Sequence, residues 1–327
     1  MPSRLKIFGI CAGFAAFSLW PGQLRADPAK DIPNKPGEEM LRPSGAGADK
    51  PVKFLPATKE QSDAAIAAAK KHAAEIETAM AVTFGTIETP HFLIFTDWDK
   101  REYDFLKTNV EGAYVAVSRQ FEIPIKDNVF IGKLPIYMFA KHEVFKKFAK
   151  DLDGFDVPEN VAGYYSGNSL GFGHMVMWKP DVVAAKGNTK AAERQWAYVL
   201  THEFTHAFVA RYRTNAFIPR WLNEGVAEVV AYQQFPRPNV YLAVRDRAKQ
   251  KKSFQDFFVD KGSLLAEDYH VAQTMVETMI VGNPKIFLSY FNDIKDGMKP
   301  EDALQKNYKT DLPGLETAWR KYIKDVK

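Results

Sequence analysis

Cysteine is nearly absent from this chain: Cys11 is the only one in 327 residues, and it lies inside a stretch that reads as a removable leader. Arg4 and Lys6 give that leader a positive start, Ile7 to Trp20 an apolar stretch, and Leu24-Arg25-Ala26 a cleavage site ending on a small residue. Cleavage is expected before Asp27, and Ile10 is too bulky to precede a lipidated Cys11. The mature chain then carries no thiol. Disulfides cannot staple it, and any metal it holds must sit on histidine and carboxylate.

Long hydrophobic runs are missing too. The apolar stretch Ile7–Trp20 falls short of the ~20 residues that span a bilayer, and no other stretch approaches that length. Export to a periplasmic or extracellular location is therefore expected, with no membrane span once residues 1–26 are gone. An excess of charge is also lacking. Loss of Arg4, Lys6 and Arg25 with no acidic residue takes the formal +4 down to +1, which gives no electrostatic reason to bind nucleic acid. The cluster Arg245, Arg247, Lys249, Lys251 and Lys252 reads as a solvated helix face.

What remains is ample material for a core, with 46% hydrophobic and 13% aromatic residues. Residues 27–56 hold six prolines (28, 33, 36, 43, 51 and 56) and few large apolar side chains, so they read as a flexible linker. An Ala-rich helix is expected from Thr58 to about Met80. Short β-rich and longer amphipathic segments then alternate: strands at 91–96 and 134–139, helices at 100–121 and 143–150. Residues 161–166 and 171–178 read as a strand pair turning through Gly167-Asn168. Beyond Pro180 the pattern is helical, near 190–212, 219–234, 268–281, 284–295 and 313–325, with Pro219 and Pro284 placed as helix starts. The expected fold is α+β: an α/β sheet subdomain over 57–185 and a mostly helical subdomain over 186–327.

The chemistry concentrates in Leu200-Thr201-His202-Glu203-Phe204-Thr205-His206. Four residues make slightly more than one helical turn, so His202 and His206 project from one face and can chelate one ion. Glu203 points to the side of that face, where it can reach a bound water without being a ligand. Seventeen residues separate His206 from Glu224, enough for one helix to end, turn and return antiparallel. Glu224 in Arg220-Trp221-Leu222-Asn223-Glu224-Gly225 can then supply a third ligand, and the apolar residues around it imply burial, where a carboxylate needs a cation. Glu228, four residues on, shares its face and could accept the other N–H of a ligand imidazole. A zinc site of three protein ligands leaves a fourth position for water, and one zinc per chain is expected.

His202-Glu203-x-x-His206 followed by Trp221-Leu222-Asn223-Glu224-Gly225 resembles the gluzincin zinc peptidases, the clan of thermolysin and the aminopeptidase N family. The resemblance implies a zincin-like arrangement, in which the sheet subdomain covers the metal-binding helices. It also implies hydrolysis of peptide bonds, with His202, His206 and Glu224 as zinc ligands, Glu203 as general base and Glu228 behind the ligands. Two departures, the lack of a Gly-x-Met-x-Asn string and a spacing one residue shorter before Glu224, withhold the aminopeptidase specificity. Compact exported proteins of the peptidase-MA-like kind are the nearer comparison. Related peptidases add a Tyr or His donor opposite the metal. Tyr269 is the expected one here, since a phenol stays neutral across the working pH, with His270 as the alternative.

Two other functions are compatible with the same residues. One is a non-catalytic envelope protein in which zinc is a structural clasp, and the other a zinc amidase acting on a non-peptide amide. His174 could line the cleft but reads as a core or solvated strand residue, and His72, His91 and His142 have no partner at ligand spacing. Tyr164-Tyr165 reads as packing, on a strand whose edge suits pairing with an extended peptide.

Overall fold

The computed structural model describes residues 51–168, 170–180, 186–250, 254–258 and 266–326. The expected leader, most of the proline-rich segment, Lys251 and Lys252 lie outside them.

Five strands form one sheet: β1 (Gly85–Glu88), β2 (Phe92–Thr96), β3 (Leu134–Phe139), β4 (Gly163–Gly167) and β5 (Gly173–Trp178), in the order β1-β2-β3-β5-β4. The three inner strands are parallel, and β1 and β4 close the edges antiparallel. All five positions of β2 are buried, which is why Phe92-Leu-Ile-Phe-Thr96 is apolar almost throughout rather than alternating. The pleat divides the core in two. Leu93, Phe95, Tyr137, Phe139 and Val176 pack on one side with α1 (Lys59–Met80) and α3 (His142–Phe148). Ile94, Ile136, Met138, Met175 and Met177 face the other way, toward α2 (Tyr103–Gln120) and α4 (Thr189–Arg211).

Of the turn expected through Gly167-Asn168, Asn168 takes its place in the turn between β4 and β5, but Gly167 does not. Gly167 and Gly173 stay paired within the strands, and the described residues of the loop are 168 and 170–172. There Asn168 Oδ1 accepts the N–H groups of Leu170 and Phe172, while Gly171 takes the positive φ of 73°. The cause is the Tyr165 ring: a Cβ on Gly167 would meet its hydroxyl at 2.1 Å and one on Gly173 its ring at 2.7 Å. These two glycines are bare to seat an aromatic, and do not serve the turn.

The helical part continues with α5 (Arg220–Gln234), α6 (Val240–Lys249), α7 (Gln255–Phe258), α8 (Ala266–Gly282), α9 (Pro284–Lys295), α10 (Pro300–Tyr308) and α11 (Leu312–Asp325). Strand β1 and helices α7 and α10 have no counterpart in the sequence reading, because each is short, and of α6 only the charged face reads as helical there. Nor are Arg245 and Arg247 an idle charged face. Arg245 donates to the Val326 carbonyl at 3.2 Å, and Arg247 lies 3.5 Å from Asp268 and over the Phe254 ring.

The end of the proline-rich segment is likewise held rather than free. Phe54 N–H donates to the Arg213 carbonyl at 2.8 Å, Asn215 N–H to the Val52 carbonyl at 3.1 Å, and the Arg211 guanidinium caps the Phe54 ring at 4.1 Å. The one aromatic in that segment supplies the anchor. No helix among the described residues is long and apolar enough to cross a membrane.

Candidate metal centre

Helix α4 is the pedestal. Asn188 caps its start by accepting the Ala191 N–H, and every residue from Trp196 to Val209 is buried. A helix buried all round must satisfy each polar side chain internally. The Thr201 and Thr205 hydroxyls do so locally, donating to the carbonyls of Ala197 at 2.9 Å and Thr201 at 2.7 Å. His202, Glu203 and His206 have no such local recourse.

The two histidines lie one turn apart with their rings edge to face, and their Nε2 atoms are 3.1 Å from each other. Helix α5 returns across α4 and brings Glu224 Oε2 to 3.3 Å from both Nε2 atoms. Among the described residues these three form the one group whose ligand atoms converge as a metal would require. A tetrahedral ion with bonds of ~2.0–2.1 Å sets its ligand atoms ~3.3 Å apart, and the three separations match that edge. Glu224 Oε2 is buried and takes no hydrogen bond from the protein. The donor set and the spacing both fit zinc.

Electrostatics point the same way. Burial alone would push the Glu224 carboxyl up, but the two imidazoles outweigh it and hold the group well below its ordinary value. Burial would likewise push His202 down, yet Glu224 and Glu228 outweigh it and raise the imidazole to about 10. Three carboxylates around two imidazoles, all out of water, make a site that favours a cation.

Glu203 faces the sheet. Its Oε2 accepts the backbone N–H of Tyr165 on β4 at 3.1 Å, while Oε1 is buried without a hydrogen-bond partner. Burial pushes the carboxyl up to about 7, with the two histidines pulling the other way. A base held near neutrality and satisfied on one oxygen is suited to taking a proton on the other.

Glu228 lies one turn beyond Glu224 and is fully buried. Its Oε1 stands 3.0 Å from His202 Nδ1, the ring nitrogen facing away from Glu224, and its Oε2 accepts the Tyr198 hydroxyl. Arg237 covers the Tyr198 ring at 3.2 Å and adds positive charge behind the carboxylate. Glu228 is thus a buried residue of the centre and no part of the protein surface.

Tyr269 comes from α8, and its ring centroid lies 6.5 Å from that of His202. Burial, and then the charges of Glu224, Glu203 and Glu228, push its phenol far above the ordinary range, so it remains a neutral donor. For His270, half-buried beside it, burial lowers the imidazole while the Glu228 charge opposes. Gly225 is what lets α8 approach: a Cβ there would sit 2.5 Å from the Ala272 carbonyl oxygen and 2.6 Å from Val276. The glycine of Trp-Leu-Asn-Glu-Gly thus serves close helix packing, and that packing carries Tyr269 to the site.

The remaining histidines lie elsewhere. His91 stacks on Tyr114 at 3.5 Å and pairs with Glu111 at 2.7 Å, His142 packs on Trp178, and His72 sits near Glu75 on the surface. His174 is buried against Asp153. Three contributors escaped the sequence reading. The Tyr165 N–H is backbone and leaves no sequence signal, and Arg237 lies past the end of α5, nine residues beyond Glu228, where helical spacing gives no signal. Tyr198 alone was recoverable, standing one turn before His202 on the same face of α4.

A search among curated proteins returns no match for this chain. Residues 186–325, the stretch from the start of α4 to the end of α11, match the family model described as the Peptidase MA superfamily, and this similarity supports a metallopeptidase-like family.

Proposed function

We propose that the chain is an exported, zinc-dependent peptidase of the gluzincin type, hydrolysing peptide bonds with Glu203 as general base. The observation that carries this reading is the convergence of His202 Nε2, His206 Nε2 and Glu224 Oε2 at separations of 3.1, 3.3 and 3.3 Å in a buried interior. Bound there, zinc would polarise the scissile carbonyl and acidify water toward pKa ~7. Glu203 would take the proton of the attacking water on Oε1, its other oxygen being held by Tyr165, and return it to the leaving amine. Glu228 would fix the tautomer and tilt of His202.

Tyr269 would donate its hydroxyl to the oxyanion. On this account Tyr269→Phe lowers kcat by ~10-fold or more with zinc content and folding unchanged. A silent Tyr269→Phe, with the loss appearing in His270→Ala, would move the role to His270.

A structural clasp would close the site with a fourth protein ligand, whereas the group among the described residues has three. The test of the function is to profile cleavage of a mixed peptide library by the zinc-loaded chain. Amide cleavage that stops on chelation and returns with zinc is expected. No cleaved peptide under those conditions would favour the clasp or a non-peptide amide.

A further inference from the structure

Behind the sheet, on the side away from the metal centre, four buried polar residues meet. Asp153, the last residue of the wide turn that extends α3, receives the Tyr164 hydroxyl on Oδ2 at 2.6 Å. The same oxygen lies 3.0 Å from His174 Nε2, and Oδ1 lies 3.5 Å from the Ser166 hydroxyl. Asp153 is 7% exposed, Tyr164 0%, Ser166 2% and His174 7%. The network therefore lies in the core rather than on a surface.

Its position on the strands gives it a consequence. Tyr164 and Ser166 flank Tyr165 on β4, and side chains alternate across a strand. Asp153 thus grips the two neighbours of Tyr165 from one face, while Tyr165 itself packs in the core on the other. β4 is the last strand of the sheet, laddered only to β5. With one hydrogen-bonded neighbour instead of two, its roll about its own axis is set largely by side chains. The Tyr164 ring is further fixed between Phe145 at 5.7 Å and Phe155 at 4.9 Å. His174, the register partner of Ser166 on β5, ties the same carboxylate to the neighbouring strand.

We infer that Asp153 is a positioning residue: by holding Tyr164 and His174 from behind the sheet it fixes the roll of β4, and so aims the Tyr165 N–H at Glu203 Oε2. The inference rests on Glu203 being the base. A carboxylate suits the place because it accepts on both oxygens, Oδ2 facing Tyr164 and His174 and Oδ1 facing Ser166. An amide has one acceptor atom and sets N–H groups in place of the other.

The test uses Tyr164→Phe, which keeps the ring packing, and Asp153→Asn, in the full chain loaded with zinc. Amide exchange at Tyr165 should rise roughly 10-fold, the scale of one lost hydrogen bond, while exchange along α4 and zinc content stay at wild-type values. On a cleaved peptide, kcat should fall by about 3- to 10-fold with KM within about 2-fold. Unchanged exchange at Tyr165, protection lost equally through the whole sheet, or faster exchange with kcat unaltered would each overturn the inference. The exchange measurement needs no substrate. A chain that cleaves nothing would therefore count against Glu203 as a base, while exchange still reads whether Asp153 holds the strand.

Discussion

Replacing Glu203 by Gln should cut kcat on any peptide the chain cleaves by about 10²–10⁴-fold, with the metal retained and the fold intact. Gln keeps the volume of the side chain and a carbonyl oxygen for the Tyr165 N–H, which Glu203 accepts at 3.1 Å. What it removes is the proton acceptor. Glu203 is wholly buried, and burial pushes its carboxyl up to about 7, so a neutral amide there should not weaken folding. Steady-state kinetics, zinc analysis and a thermal melt on the same preparation check the three parts together. Zinc lost along with activity would mean that Glu203 belongs to the ligand set instead.

The second large effect is expected at Glu228. Glu228→Ala should weaken zinc binding by about 10–100-fold, because His202 Nδ1, 3.0 Å from Glu228 Oε1, would have no partner to hold the ring. The Tyr198 hydroxyl would lose this hydrogen bond as well, and a lost hydrogen bond costs about 0.5–1.5 kcal/mol. The melting temperature should therefore fall along with the affinity. Glu228→Gln, which retains an acceptor, separates the two effects and should lose less of both. Competition against a chelator reads the affinity. A value equal to that of the unaltered chain would leave Glu228 with a packing role alone.

The residues of the centre were legible in the sequence to the extent that helices enforce spacing. His202 and His206 share a face wherever a helix forms, and the apolar setting of Glu224 announced a buried carboxylate. Gly225 could not be assigned a purpose from the string alone, because its reason is α8, some 45 residues away along the chain. Strand β1 escaped notice because Gly85-Thr86-Ile87-Glu88 buries Ile87 alone and is defined by pairing with β2. The hairpin turn, right at Asn168 and wrong at Gly167, has a related cause. Gly167-Asn168 carries good local turn chemistry, but the Tyr165 ring claims Gly167 for the strand, and Gly171 joins Asn168 in the turn. His174 reads in the sequence as a core or solvated strand histidine, and it is the former. Its partner Asp153 lies 3.0 Å away through a fold contact that no periodicity encodes. Local rules thus predicted what a single helix fixes, and failed where a second element decides the outcome.

Metal content tests the site most directly. Elemental analysis of the gently purified, zinc-supplemented chain should find about one zinc per chain, and the same analysis of His206→Ala should find it lost. Absence of any stoichiometric transition metal from the unaltered chain, or full retention of zinc after His206→Ala, would contradict the assignment of His202, His206 and Glu224 as its ligands.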